Sequence, residues 1–377
     1  MIIHHYFPNT KNSGDYFVRD GIRKLIRQRI PDAEFVDIPA NAARDLFPEY
    51  GLHGRLLDKT NKEADLVIIG GSNLYKGPTY GWDWGVSTDI DSINRLEKPL
   101  ILMGIGAGGK QKMQMQSLSS KIRSIFGMQN AGSSRNINPL SIKAQEEILL
   151  LNKKSIASSV RDNLTYDFLQ SIGVKNHILT GCPAMYIGEE KMSAPKSNRV
   201  IITFPPLKFI NKIKVKNEVI ESFFETIKTA KKEGLSVEVV CHDDLDLPVA
   251  KEIFSGKNSL PIFYSENWSE HQEIFRNAGF VVAYRLHSAI LSCGMGVPFA
   301  LILLDHRHIG FAETLGISDW AISLEKERLK NAIPNRLVRT FQNKSPLNYN
   351  AIEEKKSELK IQMDAFLDQA LKLRRKD

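Results

Sequence analysis

The feature of this sequence that most constrains its fold is a steady alternation of short apolar runs with longer amphipathic segments. Segments with a helical period include 15–29, 163–172, 217–232 and 269–277. The apolar runs that have the length and β-branched content of strands lie at 1–7, 34–38, 64–69, 100–105, 156–160, 177–180, 200–204, 236–241, 261–264, 280–284 and 298–304. Parallel strands need a crossover segment between them, which is usually a helix. The alternation therefore predicts an α/β fold built from parallel sheets that are covered on both faces.

The length and one polar segment predict two domains. The chain has 377 residues, which is more than a single hydrophobic core usually holds. The alternation is interrupted at 188–199 by GEEKMSAPKSNR, which has the composition of a linker. We therefore predict α/β domains at 1–190 and 197–345. A helical period at 350–373 predicts that the segment 346–377 forms a helix packed on the domains.

Composition limits the location and the partners of the protein. No apolar run approaches the roughly 18–20 residues of a membrane-spanning helix, and the N-terminus has no secretory signal. The three cysteines are far apart, which predicts reduced, buried thiols in a cytoplasmic protein. The net charge of +8 favours anionic partners, but no nucleic-acid-binding signature is present, so nucleic acid is not expected. The basic end at 372–377, KLRRKD, is compatible with peripheral contact with an anionic inner-membrane surface. Nothing in the sequence indicates an oligomeric state.

Two loops in the first half follow predicted strands and have the composition of ligand-binding turns. Ligands of open parallel sheets bind beyond the carboxyl ends of the strands. PNTKNSGD follows the first strand, with Asp15 in position to cap the next helix, and IIGGSN closes the third strand. Each loop is either an ordinary turn or a place where free N–H groups and side chains face a ligand. The candidate residues in the two loops are Asn12, Gly14, Asp15, Gly71, Ser72 and Asn73.

Common cofactor and nucleotide motifs are absent. MGIGAGGK after the fourth strand contains G-x-G without the spacing of a dinucleotide fingerprint, and no P-loop is present. A G-x-S-x-G elbow is also absent, which argues against a serine hydrolase. Asp305, His306 and His308 form only a weak set of metal ligands. We therefore expect no metal and no cofactor.

An arginine and a histidine stand together at the end of the strand predicted at 280–284. Arg285 and His287 flank Leu286, so in an extended backbone both side chains point to the same face. Ser288 begins a helix whose N-terminus carries partial positive charge. This combination predicts an anion site beside a proton-transfer group. The alternative is a core histidine bonded to a carbonyl, next to an ion-paired arginine.

Two other strand ends also carry basic residues. Arg161 stands at the end of the fifth strand, in SSVRDN. His306 and Arg307 follow the strand at 298–304 and form a second basic cluster. Each could be a surface feature or part of the same anion site, because the carboxyl ends of parallel strands share one edge of a sheet.

Taken in order, these motifs resemble the polysaccharide pyruvyl transferase family. The resemblance rests on N-x-G-D after the first strand, the GGSN loop, the SVRD segment and CPA at 182–184. It continues with RLHSAI, GVP and GFAETLGI, and covers roughly positions 1–320. The chain has Cys182 where the family often has aspartate before proline. It has His306 and Arg307 where the family often has a lysine.

The resemblance implies two Rossmann-like domains that face a cleft, an architecture of the glycosyltransferase B type. It implies transfer of pyruvate from phosphoenolpyruvate, without a cofactor, to a sugar or lipid-linked oligosaccharide, usually as a cyclic ketal. The acceptor is expected at the six turn residues of the first domain, and the donor on the side of the second. A nucleotide-sugar-dependent glycosyltransferase and a non-catalytic sugar- or phosphate-binding subunit are the alternatives. The implied catalytic residues are His287 and Arg285, and the implied donor-binding residues are Arg161, His306, Arg307 and Ser288.

Overall fold

The fold consists of two parallel sheets with helices packed on them. The computed structural model describes residues 1–8, 10–41, 49–75, 85–107, 142–206, 213–254, 259–324, 326–344 and 347–374. Each sheet has six strands among these residues, which confirms the predicted α/β class. Residues 108–109, at the end of the glycine-rich loop, and residues 110–139 lie outside the described residues.

The first sheet is built from the first half of the chain. Its strands are β1 Ile2–Phe7, β2 Glu34–Pro39, β3 Leu66–Gly70, β4 Leu100–Ile105, β5 Ala157–Val160 and β6 Ile178–Leu179. The described helices between them are α1 Ser13–Arg27, α2 Gly54–Glu63, α3 Ile90–Arg95, α4 Ile142–Lys154 and α5 Asn163–Ser171. Every residue of β3 and β4 is buried, as expected for central strands covered on both faces.

The second sheet is built from the second half of the chain. Its strands are β7 Arg199–Thr203, β8 Ser236–Val240, β9 Ile262–Phe263, β10 Phe280–Ala283, β11 Phe299–Leu303 and β12 Ile322–Ser323. The helices that follow these strands are α6 Ile213–Lys232, α7 Asp246–Ile253, α8 Trp268–Arg276, α9 Leu286–Gly294, α10 His306–Thr314, α11 Leu329–Phe341 and α12 Tyr349–Arg374.

The order of the strands determines where a ligand can bind. The first sheet runs β2-β1-β3-β4-β5-β6 and the second runs β12-β11-β10-β7-β8-β9, with every pair parallel. The chain direction across each sheet reverses once, between β1 and β3 and between β7 and β10. Crevices open at such switch points, outside the carboxyl ends of the strands. The loops after β1 and β10 therefore occupy the places where this topology favours binding.

Glycines allow the two halves of the chain to pack closely. A short 3₁₀ helix, Pro183–Tyr186, lies between α1 and α9. A Cβ at Gly21 of α1 would lie 2.1 Å from the carbonyl oxygen of Pro183, and a Cβ at Gly294 of α9 would lie 2.3 Å from that of Met185. Since neither position has room for a side chain, backbone meets backbone on both sides of the 3₁₀ helix. The CPA motif thus contributes to the contact between the halves.

The C-terminal helix α12 returns to the first half of the chain. It packs beside β5 and β6, and Arg29, two residues after the end of α1, forms ion pairs with Asp364 and Asp368 of α12. Its buried side chains include Leu359, Met363, Phe366 and Leu367. The predicted closing helix is therefore present, whereas the exact domain boundaries at 190 and 345 stay predictions.

The three cysteines, Cys182, Cys241 and Cys293, are unpaired and buried, as predicted. Burial in apolar surroundings raises the pKa of each thiol, so these groups are thiols rather than thiolates at neutral pH. Within the described part of the chain, no helix combines the length and the apolar composition that crossing a membrane requires.

Candidate active site

The first turn of α1 forms one wall of the site. Asn12 is the N-cap, and its side-chain oxygen accepts a hydrogen bond of 2.9 Å from the backbone N–H of Gly14. The expectation that Asp15 caps this helix was therefore wrong. Asparagine and aspartate both cap well, and the helix begins two residues earlier than predicted. Asp15 lies in the first turn instead, where its carboxylate accepts hydrogen bonds from the hydroxyls of Thr10, at 2.7 Å, and Ser72.

The loop after β3 packs against the start of α1. Gly71 and Ser72 both have positive φ, at +76° and +51°. A Cβ at Gly71 would lie 2.1 Å from Cγ1 of Val18, so only glycine fits there. The strained turn brings the hydroxyl of Ser72 onto Asp15, while Asn73 turns toward β5. One turn therefore positions three of the predicted residues, Gly71, Ser72 and Asn73, next to the start of α1.

His287 packs against Gly14 from the other sheet. It is the second residue of α9, and a Cβ at Gly14 would lie only 2.2 Å from its ring Nδ1. The ring therefore occupies the space that a side chain at position 14 would need. Its Nε2 is buried and has no hydrogen-bond partner among the described residues. A buried, unpaired ring nitrogen is unusual, because such an atom loses its bonds to water without replacement.

Two arginines that follow strands of different sheets act on Asp15 and His287. Arg161, at the end of β5, is 4% exposed; its Nη2 donates to Asn73 Oδ1 at 2.5 Å and its Nε to Asp162 at 3.1 Å. Arg307, in the first turn of α10, donates hydrogen bonds from Nε and Nη2 to the carboxylate of Asp305. The charges of both arginines act on Asp15 and on His287.

This environment changes the protonation of two groups in opposite senses. Burial lowers the pKa of His287 well below its usual value, and the charges of Arg161 and Arg307 lower it further. His287 is therefore neutral at pH 7 in the free protein. Burial raises the pKa of Asp15 to about 6, although the hydrogen bonds and the two arginines favour its ionised form. Asp15 is thus a carboxylate that can take up a proton near neutral pH.

Arg285 and Ser288 form hydrogen bonds with other buried residues of the second half of the chain. Arg285 precedes α9, and its guanidinium donates to the buried carboxylate of Asp246, at 2.6 Å, and to the carbonyl of Phe204, at 3.0 Å. Of the two alternatives that the sequence left open for this arginine, the ion pair is the one observed. Ser288 is completely buried, and its hydroxyl bonds to the ring of His242.

His242 is a residue that the sequence reasoning missed. It follows β8, in the segment CHDD, and it also bonds to Ser13 at the start of α1. The search for polar residues at the carboxyl ends of strands could have found it, because β8 neighbours β7 at the switch point.

His306 and His308 diverge rather than form a metal site. The Nε2 of His306 lies 3.3 Å from the carbonyl oxygen of Ala107, across the gap between the sheets. The Nδ1 of His308 lies 3.0 Å from Asp305, which caps α10. In the described ranges, no three histidine, cysteine, aspartate or glutamate side chains come together as a metal-binding group.

Replacing Asp15 by asparagine should raise the free energy of unfolding at pH 7 by on the order of 1–3 kcal/mol. The folded-state pKa of about 6 lies above the ordinary value of 3.8. Ionisation therefore destabilises the fold above pH 6, and this cost disappears below about pH 4. Asparagine keeps an oxygen for Thr10 and Ser72. Urea unfolding of both proteins at pH 4 and pH 7 checks the expectation, and an equal difference at both values would contradict it. Asp58→Asn, on the surface, is the control.

Comparison with known proteins places the chain in one family. The family model described as polysaccharide pyruvyl transferase matches residues 12–306. The match begins at the N-cap of α1 and ends at the first residue of α10, so it includes every candidate site residue except Arg307, which follows it directly. No curated relative matches the sequence.

Several solved structures share the architecture. UDP-N-acetylglucosamine 2-epimerase from Rickettsia bellii has a TM-score of 0.52 at 10% identity, over 99% of this chain and 96% of that chain. MnaA from S. aureus, solved with UDP, has a TM-score of 0.50 at 14% identity, over 96% of each chain. UDP-GlcNAc 2-epimerase from Methanocaldococcus jannaschii has a TM-score of 0.50 at 12% identity, over 96% of this chain and 99% of that chain. At these identities the likeness concerns the fold, and it confirms the glycosyltransferase-B-like arrangement.

Proposed function

Because the chain belongs to the polysaccharide pyruvyl transferase family, we propose that it transfers pyruvate from phosphoenolpyruvate to a sugar of a surface polysaccharide or its precursor, and that the product is a cyclic ketal. The observation that carries this proposal is that the charges of Arg161 and Arg307 act on His287, whose Nε2 has no hydrogen-bond partner among the described residues. Two cations beside a group that can move a proton suit a small substrate with two anionic groups.

The arginines are the proposed donor contacts. Phosphoenolpyruvate carries a phosphate and a carboxylate, and guanidinium groups bind both kinds of anion by paired hydrogen bonds. We assign these contacts to Arg161 and Arg307, with His306 beside them. Arg285 and Ser288, predicted as a catalytic and a donor-binding residue, bond to Asp246 and His242 in the free protein. Arg161 and Arg307 have carboxylate partners too, but their charges act on both Asp15 and His287. We therefore assign Arg285 and Ser288 to the support of α9 rather than to direct contact with the donor.

The negative charge of the donor would favour the protonated form of His287. In the free protein burial keeps the pKa of His287 low, and the charges of Arg161 and Arg307 lower it further. An anion bound to Arg161 and Arg307 would offset those charges and raise the pKa of the ring. His287 would then carry a proton only when phosphoenolpyruvate is present. His287 would therefore act as a general acid only in the complex with phosphoenolpyruvate.

The reaction then balances with two groups of the chain. His287 donates a proton to the methylene carbon of the donor, and an acceptor hydroxyl oxygen bonds to the central carbon as its proton passes to the carboxylate of Asp15. Phosphate leaves with the electron pair of its bond to that carbon, and a second hydroxyl oxygen takes its place and closes the ring. One hydroxyl proton replaces the one that His287 gave, and the other leaves on inorganic phosphate. General acid–base catalysis of this kind contributes about 10² to 10⁴ in rate.

Phosphoenolpyruvate should raise the melting temperature of the protein, and Arg307→Ala should abolish most of that increase. A ligand that binds only the folded state stabilises it by mass action, and the variant loses one of the two proposed guanidinium contacts. Differential scanning fluorimetry with phosphoenolpyruvate, and with UDP- and GDP-sugars, measures the effect. Arg276→Ala, an exposed arginine paired with Glu190, is the matched control and should keep the full increase.

The same experiment separates the proposal from its alternatives. An increase with a nucleotide sugar and none with phosphoenolpyruvate would favour a glycosyltransferase. Binding of phosphoenolpyruvate without phosphate release, across a panel of sugar and lipid-linked acceptors, would favour a non-catalytic subunit. Release of one phosphate for each pyruvate found on the sugar would support the transferase reaction.

The acceptor is proposed to bind on the side of the first sheet. The residues assigned to it there are Asn12, Gly14, Asp15, Gly71, Ser72 and Asn73. Asp15 offers a carboxylate to a sugar hydroxyl, and the turn at Ser72 holds that carboxylate in place. A lipid-linked acceptor would bring the protein to the cytoplasmic face of the inner membrane, where the basic end at 372–377 could contact anionic lipid. Positions 375–377 of that end lie outside the described residues.

A further inference from the structure

One buried histidine connects the two walls of the site. The ring Nδ1 of His242 lies 2.8 Å from the hydroxyl of Ser13 in α1, and its Nε2 lies 2.9 Å from the hydroxyl of Ser288 in α9. The backbone N–H of Ser13 also donates to the carbonyl oxygen of His242, at 2.8 Å. Both ring nitrogens are thus used, and they hold helices that belong to different sheets.

The two serines stand beside the residues that meet in the site. Ser13 precedes Gly14, and Ser288 follows His287, so each bond is made one residue from that contact. A change in the length of the connection would therefore change the distance between the ring of His287 and the first turn of α1. Bonded positions in a packed interior transmit such shifts because few voids can absorb them.

The surroundings of His242 keep it neutral and fixed. It is 1% exposed, and the rings of Phe17 and Phe275 each lie with centroids 5.9 Å from its own. Burial lowers its pKa well below the usual value. A neutral imidazole has one donor and one acceptor nitrogen, and hydroxyls can complement either tautomer. The ring therefore spans the two helices with both hydrogen bonds satisfied.

We propose that His242 is a positioning residue, which sets the distance between His287 and the first turn of α1 and so controls turnover rather than donor binding. The consequence for kinetics rests on the proposed function; the positioning itself does not. Misplacement of a reacting group by about 1 Å can cost about 10²-fold in rate. Since His242 contacts neither Arg161 nor Arg307 in the bonds described, the donor affinity should be kept.

The test is a set of substitutions at position 242. His242→Leu removes both bonds, and we expect kcat to fall about 10- to 100-fold with the KM for phosphoenolpyruvate unchanged. His242→Asn can keep the bond to Ser13, and His242→Gln can keep the bond to Ser288. The kcat of each variant should therefore lie between those of His242→Leu and the wild type. An unchanged kcat in folded His242→Leu, or a raised KM with an unchanged kcat, would overturn the proposal.

A matched control and a second measurement keep the proposal testable whatever the substrate is. His271 is fully buried, its ring centroid lies 6.0 Å from that of His242, and it bonds to the carbonyl oxygen of Ser265 at 2.8 Å. His271→Gln should affect stability but not the kcat. In histidine ring ¹H–¹⁵N spectra, the signals of His287 should shift in His242→Leu and stay in place in His271→Gln. Unmoved His287 signals in His242→Leu would refute the positioning role. If the wild-type protein shows no pyruvyl transfer, the proposed function fails and these spectra still decide the role of His242.

Discussion

Replacing His287 by alanine is expected to lower turnover with phosphoenolpyruvate by about 10² to 10⁴-fold while the fold stays intact. The ring would be the group that delivers the proton to the methylene carbon, because it packs against Gly14 in the first turn of α1 and its Nε2 has no partner among the described residues. Its loss should not destabilise the protein much, because Nε2 makes no hydrogen bond to a described residue that the substitution could leave unpaired. Phosphate release, measured under saturating donor and acceptor, gives the change in kcat.

The donor-induced increase in melting temperature should persist in this variant. Arg161 and Arg307 would still bind the anion, so the variant should lose turnover while it keeps donor binding. His177→Gln is the control: its ring bonds to the carbonyl oxygen of Tyr166, in a different part of the first sheet, and its turnover should match wild type. Full activity of folded His287→Ala would remove His287 from the mechanism.

Replacing Gly14 by alanine is expected to lower kcat by on the order of 10²-fold without lowering stability. The added methyl group would lie 2.2 Å from Nδ1 and 2.8 Å from Cγ of His287, so the ring must move. A side chain can rotate away, and alanine is favoured over glycine within a helix by roughly 1 kcal/mol. The substitution therefore displaces the proposed acid and leaves the helix sound. Kinetics and chemical denaturation of the same preparation measure both effects.

A double variant and a second glycine sharpen this expectation. If Gly14→Ala acts through the ring, then Gly14→Ala combined with His287→Ala should lose no more activity than His287→Ala alone. Gly21→Ala, two turns further along α1, meets the backbone of Pro183 and should instead cost about 1–3 kcal/mol of stability. Additive losses in the double variant would show that Gly14→Ala acts in another way.

Much of the fold was predictable because it depends on local pattern. The strands from β1 to β11 lie where apolar runs indicated them, within one or two residues at each end. The two-residue strand β12 was missed, although the equally short strands β6 and β9 lie within predicted runs. Helix α11 was not foreseen either, and it contains Pro334, which ordinarily argues against a helix. Packing of α11 on α6 and the second sheet stabilises it in spite of that residue.

The position of the site was predictable because the topology of the sheets determines it. The rule that ligands lie beyond strand ends selected Asp15, Arg161, His287 and Arg307. In the structure the charges of both arginines act on Asp15 and on His287. Partners distant in sequence escaped the sequence reasoning. The ion pair of Arg285 joins residues 39 positions apart and the bond from His242 to Ser13 spans 229, so no spacing motif could reveal either. Whether the selected residues bind the donor and acceptor as assigned stays a prediction.

The return of α12 to the first half of the chain has a consequence for how the protein is made. During synthesis the strands of the first sheet leave the ribosome long before residues 349–374, whose apolar side chains cover that half. Until residues 349–374 have been synthesised, the surface beside β5 and β6 stays open to water or to chaperones. A message truncated before codon 349 would therefore yield a nascent product with an uncovered apolar face, which quality-control proteases can recognise.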